Sequence, residues 1–240
     1  MGYIKKEWRL GKVIQVEQHF PGNYGAPGQP REAKQKRTPE QIARQNQTNR
    51  AKKIQRLILA NFNEGDWHLV LKYKPGQRPA DYEEAQKELK KFLIKMRNSY
   101  KKAGYEFKYI AVTERGKKGQ ALHHHLVIED IPELTTRMIK QTWPGMMSLT
   151  DLYEDGDYKK LAEYIVKAET KEESEAGKAT YSRSRNLVVP KPKVKKMKKR
   201  IWPEEPKAKK GYYIEKDSIV NGINPVTGYP YQYYSMRLIE

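Results

Sequence analysis

The sequence predicts an α+β fold, because segments with the spacing of strands and of helices alternate along its middle part. Residues 67–73 alternate between apolar and polar side chains, as a half-buried strand does. Residues 81–103 carry apolar side chains at helical spacing. Residues 106–114 and 122–129 are two further strand-like segments around a short Gly- and Lys-containing turn, which predicts an antiparallel hairpin.

Further elements are expected on both sides of this pattern. Thr38 followed by Pro39 is a typical start for a helix, which we expect to extend to about residue 62 with a polar, basic middle. Downstream, the pattern predicts a short helix at residues 133–141 and a strand at residues 146–152. It then predicts a helix at residues 158–171, and residues 180–189 are ambiguous, with a last short strand as one reading.

The composition predicts three parts of the chain. Residues 1–62 are expected to form an N-terminal arm, weakly structured up to residue 38, followed by the basic helix. Residues 63–189 contain the compact pattern. Residues 190–240 are expected to be a basic, Pro-rich extended linker up to residue 210, followed by a Tyr-rich segment that forms a small hairpin.

The charge balance indicates a polyanionic partner. The chain has 240 residues and a net charge of +19, from 48 Lys and Arg against 29 Asp and Glu. A basic surface kept only for solubility is the alternative, but at this charge nucleic acid is the first candidate. The 17 Tyr residues suit half-buried surfaces and stacking on bases.

Several classes of site are excluded or not expected. The absence of Cys excludes disulfides and thiolate metal sites. We expect no membrane span, no signal peptide and an intracellular location, because no long apolar run and no apolar segment near the N-terminus is present. The phosphate-loop motif of helicases is also absent.

Three consecutive histidines lie within the strand at residues 122–129. Side chains alternate across a strand, so His123 and His125 are expected on one face and His124 on the other. Two imidazoles on one face can converge on a divalent ion. The alternative for any such pair is one surface histidine and two hydrogen-bonded core histidines.

Glu114 ends the preceding strand of the predicted hairpin. In an antiparallel pair it can lie beside His123 and His125 and supply an oxygen ligand. Two histidines and a carboxylate leave coordination positions open for a phosphate. Taken alone, Glu114 fits an ordinary carboxylate beside a turn better than a metal ligand.

A Tyr and a Lys lie one helical turn apart in the predicted helix at residues 158–171. Because residues three apart share a helix face, Tyr164 and Lys167 are expected to be neighbours. A phenol beside an ammonium group is easier to ionise and can attack phosphorus. The alternative is a surface Tyr and Lys without a catalytic role. Tyr158 lacks a Lys at the same spacing and is interpreted as a packing residue at the start of the helix.

Along the chain the order is the apolar strand, then Glu114 with the His triplet, then the Tyr–x–x–Lys helix. This order resembles the three motifs of rolling-circle replication initiators (Rep), the single-tyrosine HUH endonucleases of bacterial plasmids and phages. The resemblance covers residues 67–167 and differs in having His124 at a usually aliphatic position. It implies a central antiparallel sheet of about five strands flanked by helices. It also implies a nicking reaction in which Tyr164 becomes linked to a 5′ phosphate, with Mg²⁺ or Mn²⁺ held by His123, His125 and Glu114.

The resemblance also implies partners and a location. We expect single-stranded and origin DNA as substrates, a separate host helicase and polymerase, no membrane, and the cytoplasm of a bacterial host cell. The basic residues expected to contact DNA are Arg115, Lys117, Lys118, Lys160, Arg183 and Arg185.

Other functions remain compatible with the sequence. A single-tyrosine HUH transposase shares the His pair and the later Tyr. A relaxase fits less well, because its Tyr normally precedes a three-His motif. The non-enzymatic alternative is a basic DNA-binding protein with an incidental His cluster, which would bind DNA in a salt-sensitive way without cleaving it.

Overall fold

A computed structural model describes residues 2–21, 32–33, 36–116, 121–152, 158–176 and 181–239. Its four helices are α1 Pro39–Asn61, α2 Tyr82–Lys102, α3 Thr135–Thr142 and α4 Lys159–Ala176. Its strands are β1 Ile4–Leu10, β2 Val13–His19, β3 Trp67–Lys72, β4 Tyr109–Arg115, β5 Leu122–Ile128, β6 Met146–Asp151, β7 Tyr181–Arg183, β8 Lys193–Lys196, β9 Tyr212–Ile214, β10 Val220–Ile223 and β11 Pro230–Leu238. A short 3₁₀ helix spans Lys216–Ser218.

The described chain divides into two compact units. One consists of Gln47–Val188 and contains a five-stranded sheet in the order β6-β3-β5-β4-β7. All of its strand pairs are antiparallel. The predicted α+β fold with a central antiparallel sheet of about five strands is therefore confirmed, and the architecture is consistent with an HUH-like fold.

Each face of this sheet carries its own hydrophobic cluster. On one face, side chains of β3, β4 and β5, including Leu69, Ala111 and Leu126, pack with the apolar residues of α2 and α3. On the other face, Ile110, Val112 and Val127 pack with the apolar residues of α1 and α4. The period-two alternation of the strands thus assigns every strand residue to the α2 face or to the α4 face.

Helix α2 illustrates how local sequence sets an element of this unit. The Asp81 side chain accepts a hydrogen bond from the Glu84 N–H at 2.8 Å, and the Glu84 side chain accepts one from the Ala80 N–H at 2.7 Å. This reciprocal cap satisfies N–H groups that the first helical turn leaves free. The helix ends at Lys102 and is followed by Gly104, whose positive φ of 84° is readily adopted by glycine.

The second unit consists of Met1–Asn46 and Val189–Glu240. It contains a six-stranded sheet in the order β10-β11-β2-β1-β8, with β9 also pairing with β11. The predicted Tyr-rich hairpin corresponds to β10 and β11, which pair antiparallel. The turn between them is fixed by Asn224, whose side chain accepts a hydrogen bond from the Val226 N–H at 3.0 Å.

Two expectations about this unit were wrong. Residues 4–19 are the β1–β2 hairpin rather than a weakly structured arm, and Lys193–Lys196, expected in an extended linker, is the edge strand β8 paired with β1. The polar, Lys-rich composition conceals these strands. Lysines are compatible with an edge strand because its outer side faces water and charges there discourage pairing with other chains.

The division into parts 1–62, 63–189 and 190–240 stays a prediction. In the described part of the chain, no helix has the length and apolar character needed to cross a membrane.

Candidate active site

The hairpin of β4 and β5 brings together the predicted metal ligands. In its register Glu114 lies opposite His123, and Val112 lies opposite His125. All of these side chains point to the α4 face. The Glu114 Oε1 atom lies 3.1 Å from His123 Nε2 and 3.3 Å from His125 Nε2. The predicted placement of a carboxylate beside a His pair is thus what the structure shows.

His124 points to the opposite face and has no exposed surface. Its Nε2 atom lies 2.6 Å from the Tyr73 hydroxyl, and its Nδ1 atom lies 2.7 Å from the Thr113 hydroxyl. Burial, followed by the charges of His123 and His125, lowers the pKa of His124 to about 3. His124 is therefore a neutral, hydrogen-bonded core residue.

Helix α4 carries Tyr164 over the pair of histidines. Ala162, Ile165 and Val166 are buried against the sheet and fix the helix, while Tyr164 remains 38% exposed. The Tyr164 hydroxyl donates a hydrogen bond to Glu114 Oε1 and lies 2.9 Å from His125 Nε2. The phenol oxygen thus lies at the point where the carboxylate and His125 meet.

The electrostatics of Glu114 and Tyr164 are coupled. Burial opposes ionisation of Glu114, but hydrogen bonds from His123, His125 and Tyr164 outweigh it and hold the pKa of the carboxyl well below its usual range. Burial, the hydrogen bond to Glu114 and the charge of that carboxylate raise the pKa of Tyr164 well above its usual value. At neutral pH the site therefore contains a carboxylate and a protonated phenol.

The donor set fits a divalent cation. Glu114, His123 and His125 each offer a ligand atom, and these atoms all lie within 4.8 Å of one another. The Nδ1 atom of His123 lies 3.3 Å from the Ala121 carbonyl oxygen. With a proton on Nδ1, the Nε2 atom of His123 would be available to bind a cation together with Glu114.

Strand β3 adds two residues that the sequence did not identify. The Nε2 atom of His68 lies 3.2 Å from Nδ1 of His125, and their rings stack with centroids 5.4 Å apart. Burial and the charge of His125 lower the pKa of His68 to about 4. Lys72 pairs with His123 in the register and is exposed. Alternation of side chains in β3 places His68 and Lys72 on the face opposite its apolar residues, and this could have been read from the sequence. Their position beside His123 and His125 depends on the pairing of β3 with β5, which the sequence does not give.

Lys167 lies one helical turn after Tyr164 and is exposed. Within the described residues, the structure shows no hydrogen bond or ion pair from Lys167 to Tyr164 or to Glu114. The close electrostatic neighbour of the phenol is a carboxylate instead of the expected ammonium group.

Tyr158 precedes α4 with a φ of 52° and packs against the hydrophobic cluster under that helix, in keeping with its interpretation as a packing residue.

The residues expected to contact DNA occupy different places in this unit. Arg115 ends β4 and is half-buried, and Lys160 is exposed in the first turn of α4. Arg183 and Arg185 are exposed at and beyond the end of β7. Lys117 and Lys118 lie outside the described residues.

These features define an α+β protein with a tyrosine held against a His–His–carboxylate cluster. Residues 66–173 match the family described as Replication-associated protein ORF2/G2P, a family of rolling-circle replication initiators. This match confirms the predicted resemblance to Rep proteins over the middle part of the chain. A search of the curated proteins and a search of the solved structures each found no match.

Proposed function

We propose that this protein initiates rolling-circle replication by nicking single-stranded origin DNA with Tyr164. The observation that carries the proposal is the position of the Tyr164 hydroxyl, in contact with Glu114 and 2.9 Å from His125. A nucleophile placed against a potential metal site is the arrangement that a metal-assisted attack on a phosphodiester requires. The family match over residues 66–173 supports a role in replication.

The reaction is a transesterification at phosphorus. The Tyr164 oxygen forms a bond to the scissile phosphorus, and the bond from phosphorus to the 3′ oxygen breaks. The phenol loses a proton and the departing 3′ oxygen gains one, so one ester replaces another and no energy source is needed. The products are a 5′-phosphotyrosine link and a free 3′ hydroxyl that serves as a primer, and the reverse reaction rejoins the ends.

His123, His125 and Glu114 are the proposed metal ligands, and Mg²⁺ or Mn²⁺ suits a site that must also bind phosphate oxygen. Such an ion polarises the phosphate and neutralises developing negative charge. The low pKa of Glu114 keeps its carboxylate ionised, so this ligand is available at neutral pH. Lys72 at the end of β3 and Lys167 one helical turn after Tyr164 are exposed cations, and we assign them to the phosphate.

The nicking domain is proposed to comprise residues 63–189. Arg115, Lys117, Lys118, Lys160, Arg183 and Arg185 are proposed to bind the DNA backbone. A separate host helicase and polymerase would extend the primer, in the cytoplasm of the bacterial cell that carries the replicating DNA.

The proposal is tested by incubating the protein with single-stranded origin DNA and Mn²⁺ and resolving covalent adducts on a denaturing gel. The wild-type protein should form an adduct, and Tyr164→Phe should form none, because it lacks the attacking oxygen. Tyr158→Phe is the matched control and should retain the adduct. An adduct that persists in Tyr164→Phe would assign the nucleophile to another residue.

A second experiment separates catalysis from binding. His123→Ala combined with His125→Ala should abolish cleavage and leave DNA binding nearly unchanged, since the proposed contacts with the rest of the DNA backbone lie elsewhere. Circular dichroism would establish that this variant is folded. Binding without an adduct from the wild-type protein, on every origin sequence tested, would favour a non-catalytic DNA-binding protein.

A further inference from the structure

A cleft of about 740 Å³ lies at the β7 edge of the five-stranded sheet, away from Tyr164. Four cationic side chains line it, Arg97 and Lys101 from α2 and Arg183 and Arg185 from β7 and the following turn. The one carboxylate in its lining is Glu106, which accepts a hydrogen bond from the Asn186 side chain at 3.2 Å. The cleft therefore carries a clear excess of positive charge.

None of these four cations forms an ion pair within the part of the chain that the structure describes. Like charges held around one cavity repel one another, so the arrangement is stabilised by an anion that enters it. Arginine binds phosphate oxygens through two parallel N–H groups. Three arginines and a lysine around one cleft are therefore suited to adjacent phosphates of a polyanion.

A pair of backbone hydrogen-bond contacts holds the segment that carries Arg183 and Arg185. Ser184 lies between Arg183 and Arg185, is buried, and donates its N–H to the Tyr109 carbonyl at 3.0 Å. The Ser184 hydroxyl accepts a hydrogen bond from the Tyr109 N–H at 3.1 Å. This two-way connection fixes the backbone on both sides of Ser184, so the cleft presents its arginines from a rigid segment.

Tyr105 adds an aromatic surface to the same cleft. Tyr105 is 54% exposed, while its N–H donates to the Tyr100 carbonyl at 2.9 Å after the turn at Gly104. The backbone of this residue is thus fixed and its ring is available. An exposed ring beside phosphate-binding cations is the arrangement on which unpaired bases stack. In a duplex the base faces are already stacked, so this surface favours a single strand.

We propose that this cleft binds single-stranded DNA, with Tyr105 stacking on a base and Arg97, Lys101, Arg183 and Arg185 holding the flanking phosphates. The inference rests on the proposed function in that this DNA is taken to be the strand nicked by Tyr164. Tyr109 borders the cleft and Glu114 lies further along the same strand, β4. At about 3.4 Å per residue the two positions are about 17 Å apart along β4. The Tyr109 side chain packs on the α2 face and the Glu114 side chain points to the α4 face, so a DNA strand that reaches both must pass around the β7 edge of the sheet.

The test is fluorescence anisotropy with a labelled single-stranded oligonucleotide of mixed sequence. Every protein is the full chain with Tyr164→Phe and the buffer contains EDTA, so that the DNA is not cleaved. Arg183→Gln with Arg185→Gln should lower affinity at least tenfold and reduce the salt-dependence slope by about 1.4, because two phosphate contacts are lost. Tyr105→Leu should lower affinity about fivefold or more, and Tyr105→Phe should bind like the parent.

The matched control is Lys90→Gln with Lys95→Gln, which removes two exposed charges from α2 outside the cleft. Its effect should be clearly smaller than that of the arginine pair. Equal losses in both double variants, no effect of Tyr105→Leu, or an equal loss on a blunt duplex would each overturn the proposal.

Cleavage gives a second measurement that separates this proposal from the proposed function. In the wild-type background, Arg183→Gln with Arg185→Gln should raise KM for a long oligonucleotide at least tenfold, whereas the control Lys90→Gln with Lys95→Gln should not. The rise in KM caused by the arginine variant should be smaller for an oligonucleotide too short to reach the cleft. If no protein nicks any DNA, the proposed function fails, and the binding data still decide whether the cleft binds single strands.

Discussion

The Tyr164 hydroxyl donates a hydrogen bond to the Glu114 carboxylate, from a different element of the fold. Glu114 is the residue that raises the pKa of the phenol through its charge, after burial. The same carboxylate is one of three clustered metal-ligand candidates. A cation bound by Glu114 would offset this charge and favour ionisation of Tyr164. The proposed nucleophile and the proposed metal site are therefore coupled through one side chain.

Metal binding should be measurable without DNA. Isothermal titration with Mn²⁺ at neutral pH should show one site, and His123→Ala, His125→Ala and Glu114→Gln should each weaken it by at least a hundredfold, because each removes a ligand. His19→Gln, in the β1–β2 hairpin, is the matched control and should bind like the wild-type protein. Unchanged affinity in all three cluster variants would exclude this cluster as the metal site.

His68 should act as a positioning residue for His125. Its Nε2 atom lies 3.2 Å from the His125 nitrogen that does not face Tyr164, so it can fix the orientation of that ring. Residues that orient a metal ligand in this way typically change metal affinity by about 10- to 100-fold. His68→Ala should therefore weaken Mn²⁺ binding within this range, as measured by the same titration.

His68→Gln distinguishes positioning from general destabilisation. The glutamine amide can donate or accept a hydrogen bond, so this variant should recover most of the metal affinity lost in His68→Ala. Urea unfolding should be run on both variants. Equal metal affinity in the two, at equal stability, would contradict a positioning role.

The sequence was sufficient to predict the part of the site that lies on two strands adjacent in the chain. Glu114 and His123 belong to strands joined by one short turn, so alternation alone places them on one face. His68 was missed because β3 is separated from β5 by α2 and β4, and the register of such a distant pair is not set by any local signal.

The same reasoning explains the errors at the two ends of the chain. Strand β1 pairs with β8, and β2 pairs with β11, so each partner lies at the opposite end of the sequence. A segment such as Lys193–Lys196 has the composition of a solvated linker when read alone. It is a strand only because β1 supplies its hydrogen-bond partners.

Asn61 should be important for the stability of the unit that contains the site. Its side-chain amide donates to the carbonyls of Leu57 and Val188, both at 2.8 Å, and its side-chain oxygen accepts from the Val188 N–H at 2.7 Å. Asn61→Ala leaves the Val188 peptide without these partners and should cost about 1–3 kcal/mol in urea unfolding. Asn98→Ala, exposed on α2, is the control and should change stability by less than about 0.5 kcal/mol. An Asn61→Ala variant as stable as the control would show that this connection is not needed.

His124 should make the protein less stable in acid. Its pKa is about 3 in the folded protein and about 6.5 in an unfolded chain, so between these values the unfolded state binds the extra proton. The stability contributed by neutral His124 is therefore present above pH 6.5 and is lost as the pH falls, at up to about 1.4 kcal/mol per pH unit. Urea unfolding at pH 7, 6 and 5 in EDTA would measure this slope.

His124→Leu should be less stable at pH 7, because Tyr73 and Thr113 lose a partner, but its stability should fall less steeply between pH 6 and 5. Parallel pH profiles for the two proteins would show that His124 does not titrate on unfolding in this range.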